Sequence, residues 1–315
     1  MDKLIISVSP HLRNKTNTTI LMLDVIIALV PAIIASTIIF GLRALLLVLV
    51  CVASCVLSEV IYSLIVKKPI PVLDLSAVVT GVLLAFNLPV SLPIWQAVIG
   101  SVVAIIVVKQ LFGGLGMNFA NPAIVGRIFM FLAFSGTMSN YMIPDSTGEL
   151  VATATPLVAT GNDVPSLLTL LFGNNNGCIG ETCAAALILG GIYLIVRKVI
   201  SFHIPVVFIG TVFVLSMLVA PDGQSVLNYS LYQILSGGLM LGAIFMATDY
   251  VTSPYTKWGK VIFALGCGLI TFAIRQWGSY PEGVSFSILF MNILTPYINN
   301  WTATKPFGGA TKNEK

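Results

Sequence analysis

Thr155 is the residue whose surroundings best suit it for chemistry. It lies in Glu149-Leu150-Val151-Ala152-Thr153-Ala154-Thr155-Pro156-Leu157. A proline restricts the residue before it to extended backbone, and the small Ala154 leaves a hydroxyl oxygen accessible. An extended, accessible Thr suits a modifying enzyme that must bind the segment from outside and attach a group to its Oγ. An ordinary polar loop is the other reading of the same residues. The setting is unusual for its charge. Between Arg127 and Arg197 there is no Lys, Arg or His, while Asp145, Glu149, Asp163 and Glu181 all fall there.

A second set of reactive groups lies inside or at the ends of apolar segments: Asp24, Glu59, Asp74, Arg127 and Asp249. Ionisable side chains are costly in hydrocarbon, so each needs a partner or a function. One reading is structural ion pairs, for example Arg127 with one of these acids. The other is a cation path, since carboxylate oxygens suit Na⁺ or H⁺. Asp249 leads that set because it sits beside a helix break, with Asp24 and Glu59 as further members. The run Phe112-Gly113-Gly114-Leu115-Gly116 lacks the preceding strand and the Lys-Ser/Thr of a nucleotide loop, so a tight turn between packed helices is the simpler account.

The elements that carry these residues are membrane helices. The chain has 315 residues, is 57% hydrophobic and only 9% charged, with a mean hydropathy of +0.98. A soluble domain needs more charge on its surface, so this composition reads as a polytopic membrane protein. The net charge of +4 is spread over short loops and tails, with no basic stripe, and gives no nucleic-acid signal. The polar N-terminal segment lacks the apolar core and small-residue cleavage site of a signal peptide. Of the five Cys, Cys51, Cys55 and Cys267 lie in apolar segments as small hydrophobes. Cys178 and Cys183 flank Gly180-Glu181, close enough in sequence to pair, at a spacing that fits no common metal motif.

Ten apolar segments are marked, at roughly 20–40, 43–66, 74–89, 94–112, 122–136, 183–197, 203–220, 231–249, 257–275 and 284–299. Several fall short of the ~20 residues a full span prefers, and they abut Gly-rich pieces such as Ser236-Gly237-Gly238, which predicts broken or re-entrant helices. With both termini cytoplasmic, every Lys and Arg except Arg43, Arg127 and Arg275 falls at the inner face, which satisfies the positive-inside rule. The organisation expected is a cytoplasmic segment 1–19, a first five-helix repeat 20–136, an extracytoplasmic loop 137–182, a second five-helix repeat 183–299 and a cytoplasmic tail 300–315. Asp222 and Glu282 are placed outside with the loop. Trp95, Trp258, Trp277 and Trp301 lie near span ends as interfacial anchors.

Two pieces of the chain echo each other about 160–170 residues apart. Gly81-Val82-Leu83-Leu84-Ala85-Phe86-Asn87 resembles Gly242 to Asp249. Lys109-Gln110 before Phe112-Gly113 is echoed by Arg275-Gln276 before Trp277-Gly278, and Asn121-Pro122 more loosely by Asn292 and Pro296. An odd number of spans per copy inverts one copy relative to the other, which places a shared site near the midplane.

Ala154-Thr155-Pro156-Leu157, in this position, resembles the flavinylation site of the membrane family that comprises the D subunit of the Rnf complex and the B subunit of the sodium-pumping NADH:quinone reductase. The family pattern is an acid, two variable residues, Ser/Thr, Gly/Ser, Ala and the modified Thr. Here Glu149 stands for the usual Asp, Ala152 for the Ser/Thr and Thr153 for the small residue, while Ala154 and Thr155 match. The resemblance extends to Gly113 through Ala123, Gly177 through Thr182, Gly242 through Asp249 and Gly278 through Phe286, most of the chain from residue 74 onward.

The resemblance implies FMN joined through its phosphate to Thr155 Oγ at the outer face, installed by a flavin transferase. It implies a second, non-covalent flavin, riboflavin, between the repeats. Gly116 would approach that isoalloxazine ring, and Asn118 and Asn121 would offer it amide hydrogen bonds. The chain is then expected to be an all-α integral membrane protein of ten transmembrane helices in two inverted repeats, in the plasma membrane. It would carry electrons in a complex that passes them from ferredoxin to NAD⁺ and exports Na⁺ or H⁺. It would need the other Rnf subunits to turn over. The short N-terminal segment favours the Rnf D subunit over the quinone reductase B subunit. A redox-silent inverted-repeat channel or transporter is the alternative from another class.

Overall fold

The computed structural model describes residues 17–68, 72–144, 150–152, 157, 166–173, 176–221, 225–278 and 282–304. Its helices are α1 (Thr18–Phe40), α2 (Leu42–Val66), α3 (Ser76–Phe86), α4 (Ile94–Gln110), α5 (Pro122–Ala133) and a single turn α6 (Ser135–Met138). They continue with α7 (Leu167–Phe172), α8 (Ala184–Val196), α9 (His203–Leu218), α10 (Val226–Leu235), α11 (Leu239–Met246), α12 (Lys257–Trp277) and α13 (Val284–Thr302). Each apolar segment marked in the sequence is thus helical. Two features go beyond that reading, the short helix α7 and an antiparallel ribbon of β1 (Met142–Pro144) and β2 (Leu150–Ala152), with Ile143 opposite Val151.

Helices α1, α2 and α12 are long and apolar enough to cross a bilayer, and α10 with α11 forms a further apolar path bent by 64° at Ser236-Gly237-Gly238. Helix α3 has 11 residues. At ~1.5 Å per residue it reaches about half of a ~30 Å hydrocarbon core. Ten of its residues, from Ser76 to Phe86, are buried, so it lies in the middle of the bundle. A methyl on Gly81 would stand 2.7 Å from Val52 Cα, so α3 and α2 touch along their backbones.

Two helices change winding. Helix α4 becomes π-helical over Val103–Gln110, and α11 over Gly242–Met246. A π turn adds a residue per loop of hydrogen bonding and rotates the side chains beyond it, and such turns gather at functional sites.

The halves of the chain pack similarly. Helix α2 lies against α3 and α4, and α9 lies against α10 and α12. Helices α1 and α8 meet across the middle, as do α5 and α13. A methyl on Gly190 of α8 would collide with the Ala28 carbonyl oxygen of α1. This seam closes the core around Leu29, Phe86 and Phe208, all fully buried.

Candidate functional site

A polar-edged cavity of about 430 Å³ opens at the end of the bundle where α1 begins and α4 ends. This is also the end of Lys67, at the terminus of α2, and of Arg197, at the terminus of α8. Its walls come from both halves. Met22 and Val25 of α1 and Thr80 and Leu83 of α3 form one side, and Phe245, Thr248 and Asp249 form the other. Gly116, Asn118, Asn121 and Lys109 complete the rim. Apolar walls with a few convergent polar groups, at a volume within the ~300–1,000 Å³ usual for small ligands, describe a binding site.

The Gly-rich turn supplies part of it. Gly113, Gly114 and Gly116 have φ of +123°, +100° and +89°, values that a side chain disfavours. Nothing lies within 4 Å of where a Gly116 Cβ would stand, so that backbone faces open space. Asn118 Nδ2 donates to the Ala120 carbonyl at 3.1 Å, which fixes its carboxamide beside the cavity.

Asn121 also lines the cavity, but its amide is heavily committed. Its Oδ1 accepts from Ala123 N at 3.0 Å and Ile124 N at 3.4 Å, capping α5 ahead of Pro122. Its Nδ2 donates to the Met246 carbonyl at 3.2 Å, one of the groups left over where α11 ends. In the orientation its neighbours dictate, the Asn292 amide joins the same network, accepting from Asn121 N and donating to the Thr252 carbonyl, each at 3.2 Å. The two asparagines that echo each other in sequence therefore meet in space.

The cavity's cation is Lys109. The π turn of α4 directs it inward rather than to solvent, and it is 3% exposed. Nζ donates to Glu59 Oε1 at 2.6 Å and to Ser76 Oγ at 2.5 Å. Gln110 Nε2 donates to the same Glu59 oxygen at 2.7 Å, and Asp74 Oδ1 accepts from Ser76 Oγ at 2.6 Å. Glu59 Oε2 is buried with no hydrogen-bond partner among the described residues.

Asp24 and Glu59, expected on an ion path, are thus ion-paired. Asp24 binds Arg197 NH2 through Oδ2 at 3.2 Å and accepts from Tyr193 OH at 2.9 Å. Asp249 has no ion pair among the described residues. It accepts from Thr252 Oγ1 at 3.1 Å, and it sits just past α11, in a turn, rather than inside a span. It is half-buried on the cavity wall, and burial pushes its carboxyl above the ordinary aspartate value.

A second ionic cluster lies toward the other end. Arg127, offered in the sequence as a partner for Asp24, Glu59, Asp74 or Asp249, pairs instead with Glu282 and, at 3.5 Å, with Glu181 Oε1. Its NH1 donates to Asn87 Oδ1 at 3.0 Å and Ser285 Oγ at 2.9 Å. Glu282 also accepts from Gly238 N, at the break between α10 and α11. The sequence placed Glu181 and Glu282 on the outer side, without partners. Both fold back into the bundle because the buried guanidinium needs counter-charge. Burial and the neighbouring Glu282 carboxylate push the Glu181 carboxyl up. Arg275 closes the cluster, donating to the Gln233 and Ser236 carbonyls.

Cys178 and Cys183 do not pair; both are free thiols, Cys178 buried beside Arg127 and Cys183 against the Leu171 carbonyl. Thr155 and Thr153 lie outside the described residues. Their neighbour Leu157 is placed, and its Cδ1 would stand 2.9 Å from a Cβ built on Gly237, beside Glu282 and Arg275.

The sequence relates this architecture to known proteins. Over 99% of its length the chain is 49% identical to the D subunit of the Na⁺-translocating ferredoxin:NAD⁺ oxidoreductase complex of Acetobacterium woodii, covering 97% of that protein. It is 39% identical to the D subunit of the proton-translocating ferredoxin:NAD⁺ oxidoreductase complex of Clostridium ljungdahlii, covering 96% of each chain. It is 35% identical to the D subunit of the ion-translocating oxidoreductase complex of Alcanivorax borkumensis, covering 98% of each. The family model described as NQR2, RnfD, RnfE matches residues 5–308, and the chain belongs to that family.

Proposed function

We propose that this chain is the flavin-carrying membrane subunit of an ion-translocating ferredoxin:NAD⁺ oxidoreductase complex. It would act only with the complex's other subunits. Near full-length likeness to the D subunits of such complexes supports the placement. The observation that carries the redox role is the cavity between the halves. It gathers Gly116, Asn118, Asn121 and Asp249 from the two halves of the sequence. Its volume, apolar walls and amide-bearing rim fit a planar, amide-edged ring such as the isoalloxazine of riboflavin.

The bound flavin would supply the redox chemistry. The protein's part is to hold and insulate it. Asn118 fixes one amide beside the ring, Gly116 gives close backbone approach, and Met22, Val25 and Leu83 exclude water. A second flavin, FMN joined through its phosphate to Thr155, is part of this reading and would be installed by a flavin transferase. It rests on the Ala154-Thr155-Pro156-Leu157 motif and on Leu157 lying against the bundle at Gly237.

The membrane arrangement we infer is ten spans in two inverted repeats, with both termini cytoplasmic in the plasma membrane. Three observations support it. Helices α4 and α12 run in opposite senses, since Lys109 ends one at the cavity and Arg275 ends the other beside Glu282. The half-length α3 has a counterpart in the broken α10–α11. Basic side chains Lys67, Lys68, Lys198, Lys257 and Lys260 belong to the cavity end. Asp249 is then the leading candidate to meet Na⁺ or H⁺, being an acid on the cavity wall without a basic partner among the described residues.

The test is to purify the chain co-expressed with a flavin transferase, run it on a denaturing gel and extract non-covalent flavin separately. Flavin fluorescence in the band that disappears in Thr155→Val, with acid-extractable riboflavin kept, supports both cofactors. Loss of extractable riboflavin in Gly116→Leu, with the band still fluorescent, assigns it to the cavity. A dark band and no extractable flavin would favour a redox-silent transporter.

A further inference from the structure

We propose that Lys109 binds the reducible edge of the cavity's cofactor and sets its reduction potential, with Glu59 as the residue that moderates it. The inference rests on the cavity reading above. Lys109 is a cavity-lining cation, whereas Glu59 sits behind it and does not reach the lining.

The geometry argues for more than a structural ion pair. An ammonium has three N–H donors. Two are committed, to Glu59 Oε1 and Ser76 Oγ. Among the described residues nothing takes the third, which is left for a cavity ligand. Glu59 balances the ammonium's charge through Oε1, which it shares with Gln110, but it lies on the side of Lys109 away from the cavity lining, with Oε2 lacking a hydrogen-bond partner among the described residues. The arrangement places positive charge at the cavity surface and negative charge one layer deeper. In a dry site such an ordered pair acts as a fixed dipole aimed at the ligand. The π turn of α4 is what aims it.

An oxidised isoalloxazine is neutral, and each electron it accepts without a proton leaves one negative charge on the ring. The electrons come from the preceding carrier of the complex, or from dithionite in a titration. A nearby ammonium favours the reduced, negatively charged form and raises the midpoint potential. A carboxylate lowers it, more weakly in proportion to its greater distance.

The experiment is a spectroelectrochemical titration of the non-covalent flavin in purified protein carrying Thr155→Val, so that no covalent flavin overlaps. Four charge states are compared in that background: the parent, Glu59→Gln, Lys109→Met, and the double variant Lys109→Met/Glu59→Gln. The double variant leaves no unpaired buried charge, so it guards against a folding failure of Lys109→Met alone. The expected order of midpoint potential is Glu59→Gln highest, then the parent, then the double variant, then Lys109→Met. A tenfold change in relative affinity for the reduced and oxidised forms corresponds to ~30 mV for a two-electron couple. A double variant equal to or above the parent, with flavin bound in both, overturns the role of Lys109. Absence of extractable flavin from the parent overturns the cavity reading instead, so the two failures are distinguishable.

Discussion

Asn121 Nδ2 and the Met246 carbonyl, 3.2 Å apart, join the start of α5 to the end of the π-wound α11. The bond couples a helix start in one half of the chain to a helix end in the other, at the cavity wall. The same side chain caps α5 with its oxygen. Replacing Asn121 with Ala removes the cap and the tie together. The expected cost is about 1–3 kcal/mol, seen as a lower melting temperature in detergent. Asn121→Asp keeps the cap oxygen and loses the donor, so it should fall between Ala and the parent. An Ala variant that melts like the parent would remove Asn121 from the structural account.

Arg127 should be among the least replaceable residues. Arg127→Met strands Glu181 and Glu282 in the bundle, and removing one partner of a buried ionic cluster typically costs ~3–5 kcal/mol. Much lower yield of folded protein is expected. Arg127→Met combined with Glu282→Gln should recover part of it, as measured by size-exclusion monodispersity and melting. No recovery would mean that the contacts to Asn87 and Ser285 matter more than charge.

Asp249 gives a pH dependence. Burial raises its carboxyl pKa above the ordinary value of 3.8. A group whose folded value is raised binds its proton more tightly in the folded state. Its contribution is therefore full below the ordinary aspartate range and is lost as pH rises through the raised value. Melting temperature should decline across that window, and Asp249→Asn should flatten the decline. An unchanged slope in the variant would assign the pH effect to another group.

Gly190→Leu should disrupt the α1–α8 seam, because even a methyl there would collide with the Ala28 carbonyl oxygen. Gly210→Leu is the matched control, since nothing lies within 4 Å of a Cβ at that position. A large loss of folded protein is expected for the first and little change for the second.

Much of this molecule is written in its hydropathy. The long apolar runs became α1, α2 and α12, and Ser236-Gly237-Gly238 marked the break between α10 and α11. Gly116, Asn118 and Asn121, expected to face a flavin, line one cavity, and Asp249, expected on an ion path, lines the same one. What the sequence hid was long-range pairing. Lys109 reads as one more helix-end cation at the inner face, and only the structure places it within a π turn and buried against Glu59. A signal was present, since Val103 to Val108 is uninterrupted apolar sequence and Lys109 is followed by Gln110 rather than by a loop. Glu181 and Glu282 read as outer-side acids because Arg127, which draws both inward, is remote from each in sequence. The ribbon of β1 and β2 is too short for an alternating pattern to stand out.

The contact of Gly190 with Ala28 bears on how ions could move. Helices that meet backbone to backbone, with no side chain between them, cannot slide past one another without a steric collision. The two halves are therefore in close steric contact at α1 and α8, and under the proposed role a swing of one half against the other would have to disrupt that contact. Under the proposed ion-translocating role, the elements at the cavity with room to move are the Gly-rich turn before α5 and the turn that carries Asp249. On this view the close-packed bundle serves as a frame, and the proposed ion step calls on a few residues around the cavity mouth.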